Sequence, residues 1–92
     1  KGDDNGNTPL HLECDKRNEN MVRYLVEHGA NINKGNKYGY TPFHWACGRG
    51  DESIVNYLFK HGADLNNKND LGMTPLHYAC DLKKENIAKF LV

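Results

Sequence analysis

Residues of this chain return in phase every 33 positions, and that period restricts the architecture more than any other property, because copies of such a length can only bury their apolar faces against one another. Thr8-Pro9-Leu10-His11, Thr41-Pro42-Phe43-His44 and Thr74-Pro75-Leu76-His77 stand 33 residues apart, as do Gly6, Gly39 and Gly72, and Cys14, Cys47 and Cys80. His28-Gly29-Ala30 returns as His61-Gly62-Ala63. The phase never slips, so the 92 residues divide into copies over 1–33, 34–66 and an incomplete 67–92.

Each copy reads as two helices. Threonine before proline starts the first, at Thr8, Thr41 and Thr74: the hydroxyl can accept an orphan backbone N–H, and proline at the first helical position gives up a donor that had no partner. A polar break is expected over Asp15 to Asn20, Gly48 to Ser53 and Asp81 to Asn86. Apolar residues then recur at helical spacing, as Met21, Val22, Leu25, Val26 and as Ile54, Val55, Leu58, Phe59. Gly29 and Gly62 supply the left-handed residue that ends this second helix, with His28 and His61 beside the negative end of its dipole. Between copies, Asn31 to Tyr40 and Asp64 to Met73 carry the asparagine, glycine, lysine and aspartate of a projecting turn.

The Thr-Pro-Leu-His tetrapeptide, the glycine-alanine entry into the turn and the 33-residue period together resemble the ankyrin repeat family over the whole chain. The resemblance implies an all-α fold: one domain over 1–92, a solenoid of antiparallel helix pairs with projecting β-hairpin-like turns, or fingers. It also implies a function, since such arrays bind other macromolecules through finger turns and the exposed side of the first helices. Two departures stand out. Where the other copies have Ala46 and Ala79, the first has Glu13, which is expected to reach water because no earlier copy packs on it, the alternative being a paired or functional carboxylate. The third copy ends inside its second helix, which is expected to leave Ile87, Phe90 and Leu91 on an uncapped face and to place the chain as a monomeric unit within a longer protein.

Other chemistries find little support. Twelve basic residues balance twelve acidic ones, so no net field draws the chain to nucleic acid or to anionic lipid. No apolar run approaches the roughly 18 residues that span a bilayer, and no signal-like start is visible. The spacing His11/Cys14, His44/Cys47 and His77/Cys80 puts imidazole and thiol on one helical face and invites a zinc assignment. Equivalent positions in stacked copies, however, lie roughly 8–10 Å apart, too far for two thiolates on one ion or for a disulfide. The cysteines are therefore expected to be reduced, buried and structural, which suits an intracellular, cytoplasmic or nuclear setting. The histidines are expected to bond the threonine hydroxyl or nearby backbone, as the resemblance also implies. With every His/Cys pair absorbed by a repeat position, no catalytic constellation, metal or cofactor is expected.

Partner recognition is expected where the copies differ. The varying positions are Asp4, Asn5, Asn7, Asp15 and Lys16; Lys37, Tyr38, Tyr40, Gly48 and Arg49; and Asp70, Leu71, Met73, Asp81 and Leu82. Aromatic and arginine side chains bury much area at low entropy cost and dominate binding hot spots. Tyr38, Tyr40 and Arg49 therefore lead the predicted patch, with Lys37, Leu71, Met73 and Leu82 around them and Trp45 and Tyr78 half-buried beneath. The competing expectation for Tyr38 and Leu71 is that they pack finger against finger and stabilise neighbouring turns; the alternative for the whole array is a structural spacer with no direct partner contact. Asn33 and Asn66 resemble turn asparagines that an oxygen-dependent hydroxylase modifies in some family members.

Overall fold

The computed structural model describes residues 4–91, without the side chains of residues 90 and 91. Six helices and no strand occur among the described residues: α1 (Pro9–Asp15), α2 (Glu19–Glu27), α3 (Pro42–Arg49), α4 (Glu52–Lys60), α5 (Pro75–Asp81) and α6 (Glu85–Leu91). Each copy contributes a packed pair, α1 with α2, α3 with α4 and α5 with α6. First helices lie beside first helices and second beside second, giving two layers of three.

The threonines cap as expected, with a reciprocal box in which histidine takes the place usually held by Glu or Gln. Thr41 Oγ1 accepts from His44 N (3.2 Å) while Thr41 N donates to His44 Nδ1 (3.1 Å), and the same box closes at Thr8/His11 and Thr74/His77. The polar breaks are shorter than predicted. Asn18 and Asp51 accept from Met21 N and Ile54 N, so these caps start α2 and α4 at Glu19 and Glu52, inside the stretches expected to be irregular. Within each break the chain turns through one left-handed residue: Gly50 (φ 74°) in the middle copy, but Arg17 and Lys83 (each φ 60°) in the outer two. The second helices end on Gly29 and Gly62 at φ 93° and 103°.

Leu10, Phe43, Ile54, Val55 and Leu58 form the centre of the core, each almost wholly removed from water. Three expectations are corrected. Cys14 and Cys47 are buried, but Cys80 is exposed, because no further helix pair packs on that side of α5 among the described residues. Ile87, expected on an uncapped face, is buried, since α6 turns it towards α4; the side chains of Phe90 and Leu91 lie outside the described residues. Glu13 does not simply reach water: it is half-buried, its Oε2 lies 3.9 Å from Lys16 Nζ, and its Oε1 is buried with no hydrogen-bond partner among the described residues.

Candidate functional site

The fingers are built around one asparagine each. Asn36 Oδ1 accepts from Tyr38 N (2.9 Å) and Tyr40 N (3.0 Å), and Asn69 Oδ1 accepts from Leu71 N and Met73 N at the same two distances. Backbone bonds close each tip, from Asn36 N to Tyr40 O (2.8 Å) and from Asn69 N to Met73 O (3.0 Å). Adjacent fingers are then tied together through their main chains, Lys37 N donating to Asn5 O (2.8 Å) and Asp70 N to Tyr38 O (2.9 Å). Gly39 permits the second of these contacts: its φ is 83°, and a Cβ there would meet Asn69 Cα at 3.0 Å.

The first two of the repeated histidines add a second tie. His11 Nε2 donates to Tyr40 O (2.7 Å) and His44 Nε2 to Met73 O (2.9 Å), so each first helix holds the root of the next finger. For His44 the tautomer follows from its partners. The Thr41 N–H points at Nδ1, which must accept, and the proton therefore sits on Nε2, facing a carbonyl. Burial holds the His44 pKa below its ordinary value, against the opposing pull of the Met73 carbonyl. Burial likewise pushes the Cys14 and Cys47 thiols up to about 12, with the Asp51 carboxylate adding to the effect at Cys14, so neither is a nucleophile near neutral pH. Among the described residues no group of three His, Cys, Asp or Glu side chains gathers as metal ligands would.

Rigid fingers and first helices enclose a groove of about 410 Å³. Asn5, Asn7 and Asp15 line it from the first copy, Asn36, Tyr38, Tyr40, Trp45, Gly48 and Arg49 from the second, and Tyr78 and Leu82 from the third. Its aromatic side is a packed assembly. The Tyr40 ring meets the Tyr78 ring edge-on at 5.2 Å and the His44 ring at 5.7 Å, while Trp45 stands edge-on to His11 at 5.7 Å. Gly48 makes this possible. A Cβ at that position would lie 2.4 Å from Tyr78 Cε2 and 3.1 Å from Leu82 Cδ1, so the bare helix surface is what lets Tyr78 lie across α3. At the polar side Arg49 donates to Asp15 Oδ1 from Nε (2.8 Å) and Nη2 (2.5 Å), linking the second copy to the first.

Six of the nine predicted contact residues thus line this one groove: Tyr38, Tyr40, Trp45, Arg49, Tyr78 and Leu82. The other three lie elsewhere. Lys37 is an exposed finger residue with Nζ 5.8 Å from the Tyr38 ring centre, Leu71 stands at the next fingertip with 75% of its surface exposed, and Met73 is half-buried at the root of that finger. Tyr38 is itself 48% exposed, so neither it nor Leu71 is packed away between fingers; the fingers meet through backbone instead. Asn33 and Asn66 are both exposed. Asn33 bridges two copies, its Nδ2 donating to Gly62 O (3.1 Å) and its Oδ1 accepting from Asp64 N (2.8 Å). The Asn36 and Asn69 brackets and the role of Gly48 escaped the sequence reading, although the first pair, 33 residues apart, carried a signal in its spacing.

A stack of helix-turn-helix copies whose histidines and fingers lock each unit to the next defines a repeat solenoid with an open inner groove. Family models described as ankyrin repeats match residues 1–69 and 49–92. The chain belongs to the ankyrin repeat family, whose members are in general protein-interaction modules without catalytic activity. Among curated proteins no match was found, and no helix among the described residues is long and apolar enough to cross a membrane.

Proposed function

We propose that this chain is a protein-binding module, not an enzyme, and that its partner lies in the groove between fingers and first helices. The observation that carries this reading is the packed aromatic wall: Tyr40 and Tyr78, from different copies, are held edge-on to each other, with Tyr78 lying over Gly48, at positions where the copies otherwise diverge. A spacer needs no such arrangement, since the fold is already held by the histidine and finger ties. Pre-positioned aromatic rings bind at low entropy cost, and the Arg49–Asp15 pair at the groove's polar side supplies orientation.

Replacement of exposed Arg49 and half-buried Tyr40 by alanine tests the reading. With folding checked by circular dichroism, each should weaken partner affinity by more than about 1 kcal/mol. Affinities within about twofold of the parent chain for both would leave the spacer as the better account. We also propose Asn33 and Asn66 as hydroxylation candidates. Both are exposed, but the Asn66 carboxamide has no bond to a following turn to give up among the described residues, and tryptic mass spectrometry of the cell-derived protein should show the gain of one oxygen there first.

A further inference from the structure

We propose that molecules of this chain join head to tail, the third copy of one seating the first copy of the next, in place of the monomer expected from the sequence. The internal joints supply the template. At each, first helix packs on first helix and second on second, α3 and α4 on α1 and α2, then α5 and α6 on α3 and α4. Leu10 and Cys14, and then Phe43 and Cys47, are buried under the copy that follows, and the follower's Ile54 or Ile87 is wholly buried against the copy before it. The same two faces are left over at the ends of the stack. On the third copy Leu76 is half-buried and Cys80 exposed, and on the first Met21, in the phase of Ile54 and Ile87, is 39% exposed. A face that lacks a follower and a face that lacks a leader thus stand on one chain, matched by the repeat itself.

Side chains at these ends fit one another pair by pair. Advancing the first copy by three periods sets it on the third as the second sits on the first. Arg49 of the second copy engages Asp15 of the first at 2.8 Å; the same positions at the new joint hold Lys16 and Asp81, again a cation on an acid. The joint between the second and third copies has Gly48 and Leu82 there, so the charge pair is not a fixed property of the repeat. Asn86 Nδ2 donates to Glu52 Oε2 (3.0 Å) and Gly50 O (3.1 Å), and the new joint sets Asn20 opposite Glu85 and Lys83 O, with amide and carboxylate retained. Arg23 stands over the Tyr57 ring, 4.7 Å from its centre; in the same register Lys89 meets Tyr24, which is 55% exposed. His11 and His44 donate to the carbonyls of Tyr40 and Met73. His77 is exposed, its Nε2 makes no hydrogen bond among the described residues, and the carbonyl in the matching position is that of Asn7.

One residue opposes the joint. Ala79 is wholly buried although no copy follows it among the described residues, so its position faces the copy before, and Glu13 holds that position in the first copy. A carboxylate enclosed without full hydrogen bonding is costly, and Glu13 Oε1 already has no hydrogen-bond partner among the described residues. The joint between molecules is therefore weaker than those within the chain, and association is reversible. It uses two unlike patches, so it does not close on itself and growth does not stop at two chains. Because it engages the ends of the stack, it stands apart from the reading of the groove.

Sedimentation velocity on the 92-residue chain, from about 10 µM to about 1 mM, tests the proposal. The weight-average mass should climb with concentration and show no plateau at two chains. Glu13→Ala, which restores the alanine of the other copies, should tighten association about tenfold. Asp81→Lys, at an exposed site, should weaken it about threefold, and adding Lys16→Asp to Asp81→Lys should regain the loss. A parent chain and a Glu13→Ala variant that both stay monomeric throughout the range overturn the proposal. A plateau at two chains overturns it as well, since one patch is then pairing with itself. Association that neither Glu13→Ala nor Asp81→Lys alters overturns it by placing the contact on another surface.

Discussion

The first and third copies are near-identical in motif but complementary in what they leave uncovered. In the first, Leu10, His11 and Cys14 are buried against the second copy, while Met21 is 39% exposed and Glu13 takes the place of a buried alanine. In the third, Ile87 and Ala79, the counterparts of Met21 and Glu13, are buried, while Leu76 is half-buried and His77 and Cys80 are exposed. Every copy therefore has two unlike faces, one that looks forward (the Thr-Pro-Leu/Phe-His helix and its cysteine) and one that looks back (the second-helix position held by Met21, Ile54 and Ile87). Only the middle copy has both covered. Stability in such an array resides in the interfaces as much as in the units, and the same residue carries different weight according to whether a neighbour covers it.

Substitution of forward-looking core residues is the strongest way to break this comparison. Phe43→Ala should cost about 3–5 kcal/mol, because a wholly buried ring leaves a cavity at an interface that α1 and α5 both share. The equivalent change in the third copy, Leu76→Ala, should cost about 1 kcal/mol, since the residue is only partly buried. Urea unfolding of the two variants decides the matter, and equal losses would mean that burial against a following copy is not what distinguishes them. Histidine replacement comes next in size. His44→Ala leaves the Met73 carbonyl and the Thr41 N–H without their partner and should cost about 2–4 kcal/mol. His77 closes only its own helix cap, at 3.3–3.4 Å, and His77→Ala should cost under about 1 kcal/mol.

Acidification sharpens the same contrast. Folding holds His44 below the ordinary 6.5, so on lowering the pH the unfolded chain takes up a proton at this residue before the folded chain does. The stability it confers is complete above about pH 6.5 and is lost as the pH falls from there through the folded pKa. Thermal midpoints measured between neutral pH and pH 5.5 should therefore decline, and the decline should shrink in His44→Asn, which cannot titrate, while His77→Asn keeps it. An unchanged slope in His44→Asn would assign the acid response to other groups.

The parts of this fold that could be read from the chain are those decided by local chemistry. Threonine before proline and glycine after histidine set helix ends whatever lies beside them, and all three first helices begin where Thr8, Thr41 and Thr74 place them. The unequal burial of Met21 and Ile54, or of Cys47 and Cys80, depends on neighbouring copies and has no local signature. The left-handed turn between helices was half visible: Gly50 shows what the backbone needs there, but Arg17 and Lys83 at the same phase hide it. Of the nine residues expected at a recognition patch, six lie together along one groove, which Asn36 also lines without having been expected there. The crossing of Tyr78 over Gly48 was not, because it joins side chains on different copies through a missing Cβ, and an absent atom offers no pattern to compare.

The smallest expected effect concerns the ion pair at the groove that links the first copy to the second. Arg49 and Asp15 keep 53% and 41% of their side-chain surface in water, so their attraction is screened and Asp15→Asn should lower stability by only about 0.2–1 kcal/mol, less at high salt. The pair nonetheless sets the charge of the groove. With Asp15 neutralised, the Arg49 guanidinium becomes the sole charged group among the residues that line it, and glutamate-containing peptides should bind the variant more tightly than the parent chain. A groove that gained no preference for acidic peptides would show that Arg49 points its charge to solvent and takes no part in choosing what lies against Tyr40 and Tyr78.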